Sequence, residues 1–337
     1  MYWFWVSLVA VGVAIIVDGI YRSIISSRIR ELIDNVPPFG VVSSEPTDGA
    51  QVLQIPAEDG LKLTASLHCA VESPRALILF CPELHGSHWT VANYAPELVE
   101  AGFAVLSFDV RNQGESEHQP EFTPVHWPTE LELSDLQAVL KFVGEHKDLS
   151  KLPLGVYGIS RGGSMALVAA CRSRQIQSIV VDSAYDTMTM VHHFMDKFSR
   201  YVVPDWFFRR LPKWHVDWVL RQALRKSERK AGRTYLRLGQ ECDSFAQPAL
   251  LISGKRDSYV TPNVSEKLAA MLARTDDVWV VPKAKHNKAR TVQTAEYDRR
   301  ILEHFERTLT SQSSAGSQIA DTESVSNESE VTESPSF

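Results

Sequence analysis

Short apolar runs alternate with amphipathic stretches through the middle of the chain. Several of the runs are continuous, as expected for strands that are buried on both faces of a sheet. The pattern predicts strands at Gln51–Ile55, Leu61–His68, Ala76–Cys81, Phe103–Asp109, Leu154–Ile159, Ser178–Asp182, Ala249–Ser253 and Val278–Val281. Because helical stretches separate most of these strands, the sequence predicts an α/β fold in which helices cover both faces of a mostly parallel sheet.

The helical stretches carry their own start signals. Thr129 is placed to cap a helix, and Glu132 stands three residues later as its capping-box partner. One apolar face of that helix is formed by Leu133, Leu136, Val139, Leu140 and Val143. Thr261-Pro262 predicts another start, a cap followed by proline at the first helical position.

Residues 1–22 have a different pattern, because the chain is apolar and uncharged from Tyr2 to Val17. As a helix, Tyr2 to Ile20 would measure about 28 Å, close to the hydrocarbon thickness of a bilayer. A signal peptide is the competing interpretation, but no basic stretch precedes the run and no Ala-x-Ala-like site follows it. Arginines follow the run at positions 22, 28 and 30, so we expect a single-pass anchor, a linker over residues 23–45 and a folded domain, residues 46–310, on the cytoplasmic side.

Residues 186–245 separate two predicted strands by far more than a usual connection. From Asp186 to Cys242 the segment has twelve Lys or Arg against six Asp or Glu. It also carries large aromatic residues, among them Phe194, Phe198, Trp206, Phe207, Phe208, Trp214 and Trp218. We interpret it as a helical cap inserted over one end of the sheet.

Composition limits the remaining function classes. The chain of 337 residues has a net charge of −6, and its basic residues concentrate in the cap without a nucleic-acid-binding motif, so we expect no nucleic-acid partner. The four cysteines are far apart and form no Cys-x-x-Cys pair, which argues against a zinc site or a disulfide framework. Residues 311–337 are rich in serine and acid, and we expect a disordered acidic tail.

Gly158-Ile159-Ser160-Arg161-Gly162 spells Gly-x-Ser-x-Gly between a predicted buried strand and a predicted helix. A serine at such a sharp turn exposes its hydroxyl above the sheet edge, and the glycines relieve crowding of the backbone. Serine becomes a good nucleophile when a base removes its proton and a carboxylate orients that base. Ser160 is therefore a candidate nucleophile.

The partners of such a serine are expected after later strands, the acid first and the histidine second. Asp257 follows the strand Ala249–Ser253, and His286 follows the strand Val278–Val281. We therefore predict a Ser160–Asp257–His286 triad, with Asp182 as the alternative acid. Two further histidines near the expected site, at positions 85 and 88, lack a third ligand, so we predict no metal and no cofactor.

Five segments of the sequence, LILFCPELHGS, FAVLSFDVRNQGES, VYGISRGGSMAL, LLISGKRDSYVTP and VPKAKHN, are similar to those of the α/β-hydrolase superfamily. The chain resembles that superfamily from Gln51 to Phe305, and most closely its membrane-anchored serine hydrolases with an N-terminal helix. Asn287 after the histidine is also shared with that branch. The resemblance implies an eight-stranded, mostly parallel sheet, no cofactor, and hydrolysis of an ester, thioester or amide through an acyl-enzyme.

Two backbone N–H groups are needed to stabilise the oxyanion of the tetrahedral intermediate. One is expected from Arg161, directly after the nucleophile, and the other from the loop CPELHGSHW. His85-Gly86 is similar to the His-Gly of such loops, but counting back from the next strand places Cys81-Pro82 at that position. The second donor is then Glu83, with Leu84 as the alternative.

These features predict a serine carboxylesterase or lipase-like hydrolase that takes a small-molecule or lipid acyl substrate. A thioesterase or a peptidase with the same triad is an alternative, as is a non-catalytic, membrane-tethered binding protein of the same fold. The sequence makes no prediction of oligomeric state.

Overall fold

The structure, a computed structural model, describes residues 1–36, 44–198 and 210–310. Its centre is an eight-stranded sheet in the order β1-β2-β4-β3-β5-β6-β7-β8. The strands are β1 (Gln51–Pro56), β2 (Lys62–His68), β3 (Leu77–Cys81), β4 (Ala104–Phe108), β5 (Leu154–Ile159), β6 (Ser178–Asp182), β7 (Ala249–Gly254) and β8 (Val278–Val281). β2 pairs antiparallel with β1 and β4, and the other neighbours pair parallel. The predicted α/β-hydrolase fold is confirmed.

The continuous apolar runs form the centre of this sheet. Every residue of β3, β4, β5 and β6 is buried, whereas the edge strands β1 and β8 are partly exposed. A strand that is covered on both faces needs apolar side chains in both directions, so these runs lack the alternation of a half-exposed strand.

The structure has helices on both faces of the sheet and, near the N-terminus and in the connection between β6 and β7, beyond it. They are α1 (Tyr2–Asp34), α2 (Pro96–Glu100), α3 (Glu130–Glu145), α4 (Arg161–Arg172), α5 (Thr187–Phe198), α6 (Lys213–Ala231), α7 (Pro262–Met271), α8 (Ala289–Val292) and α9 (Thr294–Phe305). α3, α4 and α7 share one hydrophobic core with the sheet, and α2 and α9 share another. α3 begins with the expected capping box: Glu132 N–H donates to Thr129 Oγ1, and Thr129 N–H donates to Glu132 Oε2.

A third core joins α1 to the cap. It contains Ile29 and Ile33 of α1 together with side chains of α5 and α6, and it also includes Trp127 and Tyr185. α5 and α6 both belong to the connection between β6 and β7, where the sequence predicted a helical cap. Residues 199–209, which include three of the cap aromatics, and the expected acidic tail at 311–337 lie outside the described residues.

α1 is longer than the predicted anchor. Within the described residues it is the one helix that is long and apolar enough to cross a membrane, and its side chains up to Ile20 are almost all exposed. The helix continues to Asp34, so residues 23–34 are helical where a linker was expected. The reason is that Ile25, Ile29 and Ile33 repeat every four residues and pack against the cap, which favours continuation of the helix.

Candidate active site

Ser160 stands at the turn between β5 and α4 with φ of 50° and ψ of −118°. This positive φ is uncommon for a residue with a side chain, and the surrounding structure must hold it in place. One such contact is the hydrogen bond that Ser160 N–H donates to the carbonyl of Asp182, at 2.7 Å. The turn therefore has the strained strand-to-helix geometry that the Gly-x-Ser-x-Gly pattern predicted.

The two glycines of the pattern are required by close backbone approach. A Cβ on Gly158 would lie 2.5 Å from Gly163 Cα, and one on Gly162 would lie 2.3 Å from the carbonyl oxygen of Pro82. Side chains at these positions would push α4 away from the strand and from the loop after β3. The glycines thus hold the start of α4 against the backbone that follows Cys81.

The structure brings Ser160, His286 and Asp257 together. Ser160 Oγ lies 2.9 Å from His286 Nε2, and His286 Nδ1 lies 2.7 Å from Asp257 Oδ2. Because the Asp257 carboxylate accepts a hydrogen bond from Nδ1–H, the neutral imidazole presents its Nε2 lone pair to the Ser160 hydroxyl. A proton on the serine can therefore pass to a base that is already aligned with it.

Backbone contacts between two loops fix this alignment. Arg256 N–H donates to the carbonyl of Ala284 at 2.8 Å, so the loop after β7 lies directly against the loop after β8. Asp257 Oδ1 accepts hydrogen bonds from Tyr259 N–H and Val260 N–H, at 2.8 and 2.9 Å. These two donors orient the carboxylate so that its second oxygen, Oδ2, faces His286.

Asp182, the alternative acid, has other partners. Its Oδ2 accepts a hydrogen bond from Tyr297 Oη at 2.9 Å, and its Oδ1 accepts one from Ser183 Oγ at 2.9 Å. Tyr297 Oη in turn lies next to Tyr157 Oη. Complete burial raises the pKa of the Asp182 carboxyl to about 6. Asp182 is therefore a buried member of a tyrosine network and not the hydrogen-bonding partner of His286.

The two expected oxyanion donors lie on neighbouring segments. Arg161 is the first residue of α4, where a backbone N–H has no partner within the helix. In the loop after β3, His85 N–H donates to Gln113 Oε1, and Gly86 N–H donates to the carbonyl of Glu83, both at 2.9 Å. Both N–H groups are thus engaged, that of His85 with the loop after β4 and that of Gly86 within its own loop, which favours the Glu83 position over them.

The side chain of Glu83 is a feature that sequence reasoning missed. It is buried beside Tyr94, whose Oη lies 3.4 Å from Glu83 Oε1. Burial raises the pKa of this carboxyl to about 6, and the nearby His286 partly offsets that effect. A second titratable carboxyl therefore lies close to the serine–histidine pair.

The side chain of Arg161 turns away from solvent and forms an ion pair with Glu132 of α3. Both side chains are buried, and burial lowers the pKa of the Arg161 guanidinium to about 10. The sequence assigned Glu132 only to the capping box, because nothing in the chain between them signals that Arg161 reaches it. The pair ties the helix that begins at the nucleophile to α3.

An aromatic wall stands next to the serine–histidine pair. The His126 ring stacks on Tyr185 at a centroid distance of 5.1 Å and also contacts Trp127 and Phe194. Burial lowers the pKa of the His126 imidazole to about 3, and the charges of His286 and Arg161 act in the same direction. A neutral His126 therefore belongs to a buried, largely apolar cluster close enough to His286 for their charges to interact.

Comparison with known proteins decides the family. The sequence model described as Serine aminopeptidase, S33 matches residues 72–288, which include Ser160, Asp257 and His286. The chain belongs to this family of α/β-hydrolases. Solved structures with the same fold include an esterase from Pyrococcus furiosus, 22% identical with a TM-score of 0.58 over 81% of this chain and 97% of that one. A serine hydrolase without a lid from Xanthomonas campestris is 17% identical, with a TM-score of 0.51 over 80% and 98% of the two chains.

Curated relatives match the hydrolase over shorter stretches. Thiohydrolase aneE of Aspergillus aculeatus is 30% identical over 128 residues, which is 36% of this chain and 37% of that protein. The protein YfhR of Escherichia coli O157:H7 is 22% identical over 202 residues, 59% of this chain and 58% of that protein. The matched part of this chain thus covers between about a third and three fifths of the length of these relatives.

His88, one of the two loop histidines considered as metal ligands, is surrounded by carboxylates of neighbouring turns. His88 is buried, and its Nε2 lies 3.8 Å from Asp109 and 3.6 Å from Glu115. Its backbone N–H donates to Asp109 Oδ1, which ties down the turn after β4. In the part of the chain that the structure describes, no three His, Cys, Asp or Glu side chains are grouped so that they could hold a metal ion.

Proposed function

We propose that this hydrolase is a serine carboxylesterase with Ser160 as nucleophile, His286 as general base and acid, and Asp257 as the group that orients His286. The observation that carries the proposal is the continuous hydrogen-bonded path from Ser160 Oγ through His286 to Asp257, with distances of 2.9 and 2.7 Å. The path begins at a strained turn between a buried strand and a helix, where the serine is held rigidly.

In the first step, Ser160 Oγ attacks the carbonyl carbon of the ester while its proton passes to His286 Nε2. The imidazolium that forms is stabilised by Asp257, which keeps its negative charge. The carbonyl oxygen becomes an oxyanion and accepts hydrogen bonds from two backbone N–H groups, those of Arg161 and Glu83.

The intermediate then collapses. His286 gives its proton to the alkoxide of the leaving alcohol as the bond between the acyl carbon and the alcohol oxygen breaks, which leaves the acyl group on Ser160. A water molecule next gives a proton to His286 and attacks the acyl carbon. The bond to Ser160 Oγ breaks, the proton returns to the serine, and the carboxylic acid leaves.

We further propose that the substrate is an acyl ester from a membrane. The support is the long apolar helix α1, with Arg22, Arg28 and Arg30 after its apolar part, which favours a single-pass anchor with the hydrolase domain on the cytoplasmic side. An anchored enzyme stays close to lipid, so an amphipathic acyl ester reaches it at a high local concentration.

A thioester is the second candidate substrate. It is favoured by the similarity to Thiohydrolase aneE. The description of the family model, a serine aminopeptidase, adds an amide as the third candidate substrate. The same triad serves all three, because the acyl carbon is attacked in the same way and only the protonation of the leaving group differs.

Labelling with a fluorophosphonate tests the proposal, since this reagent reacts with an activated serine. The native protein should be labelled, and the variant Ser160→Ala should not. Ser173→Ala, at the other end of α4, is the matched control and should be labelled like the native protein. Labelling that persists in Ser160→Ala would identify another nucleophile, and a folded native protein without labelling would favour a binding protein of this fold.

Substrates that share one acyl chain and differ in the leaving group then separate the candidates. We expect faster turnover of the oxygen ester than of the matched thioester and amide. Faster turnover of the thioester would instead place the enzyme with the thioesterases.

A further inference from the structure

α1 and α6 run side by side in the same direction. The Tyr21 ring, past the middle of α1, stacks on His215 in the first turn of α6, with centroids 6.0 Å apart. Near their C-terminal ends Asp34 Oδ2 lies 3.0 Å from Lys230 Nζ, and Ser227 Oγ donates to Asp34 Oδ1. The first turns of α6 therefore lie at the level of residues 21 and 22 of α1.

Lys226 fastens the two helices to each other. Its Nζ donates to the carbonyl of Ser23 at 2.9 Å, to Ser26 Oγ at 2.8 Å and to Ser27 Oγ at 3.0 Å. Further along α1, towards its C-terminal end, Ile29 is buried in the core of the cap. The second half of α1 is thus part of the folded domain, and the helix cannot change its register against α6 without breaking these contacts.

The first half of α1 sets the level of the membrane. Tyr2 to Ile20 measures about 28 Å as a helix, and a bilayer has a hydrocarbon thickness of about 30 Å. If this stretch spans the bilayer, one hydrocarbon boundary falls close to Asp18 and Arg22, whose side chains form an ion pair of 2.6 Å. Charged side chains paired at this depth mark the headgroup layer.

Two tryptophans of α6 lie at the same level. Trp214 is 62% exposed and Trp218 is 40% exposed, although large apolar side chains at the surface of a folded domain are usually covered. The guanidinium of Arg22 lies over both rings, 5.4 Å from the centroid of Trp214 and 4.8 Å from that of Trp218. Tryptophan concentrates at membrane–water interfaces, because its ring is apolar and its N–H is polar.

We propose that the first turns of α6 are a second membrane contact, with Trp214 and Trp218 seated in the phospholipid headgroup layer of the bilayer that α1 spans. This inference rests on the proposed anchor and extends it to the cap. The positive charges on this part of α6 are consistent with a headgroup contact, since Lys213 and Arg221 are exposed and can bind lipid phosphates. Asp217 on this segment pairs with His192 at 3.2 Å.

The contact has a consequence for the active site. The core that holds Ile29 of α1 also contains Tyr185 and Trp127, the residues of the aromatic wall beside His286. Anchor, cap and this wall therefore form one packed unit. With α6 seated on the bilayer, the cap side of the domain faces the lipid, and the ester is taken up from the same surface.

Spin labels at three depths test the proposal in the full-length protein, reconstituted in vesicles of phosphatidylcholine and phosphatidylglycerol. Cys69, Cys171 and Cys242 are first replaced by serine, and Cys81 is buried. Single cysteines are then introduced as Val11→Cys in the apolar half of α1, Trp214→Cys with Trp218 retained, and Lys141→Cys on α3, where the native side chain is 75% exposed. Collision of each nitroxide with oxygen and with a water-soluble nickel chelate reports its depth.

We expect the label at position 11 to be deep, the label at 214 to be shielded severalfold from the nickel chelate, and the label at 141 to be fully accessible to it. If position 11 is deep and position 214 is as accessible as 141, the cap contact is wrong and the anchor stands. If position 11 is itself accessible to the chelate, the anchor fails and the cap contact with it. Neither outcome depends on the esterase activity.

Discussion

Asp257 accepts a 2.7 Å hydrogen bond from His286 Nδ1, whereas Asp182, the last residue of the neighbouring strand β6, accepts hydrogen bonds from Tyr297 and Ser183. Asp182 ends β6 and Asp257 lies in the loop after the parallel strand β7, so both acids are at the same edge of the sheet and differ mainly in their hydrogen-bonding partners. Only a carboxylate that accepts a hydrogen bond from Nδ1–H can hold the tautomer that serine activation requires.

Asp257→Asn should lower kcat by about 10⁴ while the protein remains folded, because an amide at this position favours the wrong tautomer of His286. Turnover of a soluble aryl ester measures the loss, and circular dichroism checks the fold. Asp182→Asn is the control and should have a much smaller effect. If Asp182→Asn caused the large loss and Asp257→Asn did not, the assignment of the acid would be wrong.

The buried carboxyl of Asp182 should also affect the pH dependence of stability. Its pKa is raised from 3.8 to about 6 in the folded protein, so between pH 4 and 6 the folded state binds more protons than the unfolded state. The contribution of Asp182 to the free energy of unfolding therefore decreases as pH rises through this window, by an amount on the order of 3 kcal/mol.

Other buried groups also titrate over this range: the raised pKa of Glu83 acts in the same direction as that of Asp182, whereas the lowered pKa of His126 makes the folded state bind fewer protons. The prediction is therefore a difference: the stability of Asp182→Asn relative to the native protein should increase from pH 4 to pH 6. Urea unfolding at several pH values measures it. The exposed Asp148, replaced by Asn, should show no such trend. A constant difference between Asp182→Asn and the native protein would contradict the prediction.

Much of the fold could be read from the sequence because burial on both faces leaves a simple signal. The strands Ser178–Asp182 and Val278–Val281 begin and end where the apolar runs predicted, and α3 begins at its capping box. The proximity of Ser160, Asp257 and His286 could be predicted because each follows a strand, and the carboxyl ends of parallel strands meet at one edge of the sheet.

What the sequence missed depends on contacts between distant segments. The extension of α1 beyond residue 22 is stabilised by α6, almost two hundred positions away along the chain. The buried carboxyl of Glu83 lies beside Tyr94 because the loop after β3 folds back, and neither residue signals this locally. The choice between Asp257 and Asp182 likewise required the positions of the loops in space.

Gly162→Ala should reduce activity severely. The new Cβ would lie 2.3 Å from the carbonyl oxygen of Pro82, so the loop that carries Glu83 N–H must move. Displacement of one oxyanion donor typically costs about 10²–10³ in kcat, and we expect a loss of that size with a smaller change in KM.

Gly239→Ala is the matched control for this substitution. The nearest atoms to its new Cβ belong to Met271 at 3.5 Å, an ordinary contact, so both kcat and KM should stay close to native values. Steady-state kinetics on one soluble ester compares the two variants. A Gly162→Ala enzyme with native kcat would mean that the loop after β3 does not supply the second donor.

The packing of α1 on the cap leads to the last prediction, which compares two isoleucines of one helix. Ile29 is 3% exposed in the core shared with α5 and α6, whereas Ile24 is 57% exposed. Ile29→Ala should lower the free energy of unfolding by about 2–4 kcal/mol through the lost burial and the cavity left behind. Ile24→Ala should change it by less than about 0.5 kcal/mol. Chemical unfolding of the detergent-solubilised full-length protein, followed by near-ultraviolet circular dichroism, measures both. Equal effects of the two substitutions would mean that α1 does not pack on the domain and is only tethered to it. In that case the contact between α1 and the cap could not fix the orientation of the domain on a membrane.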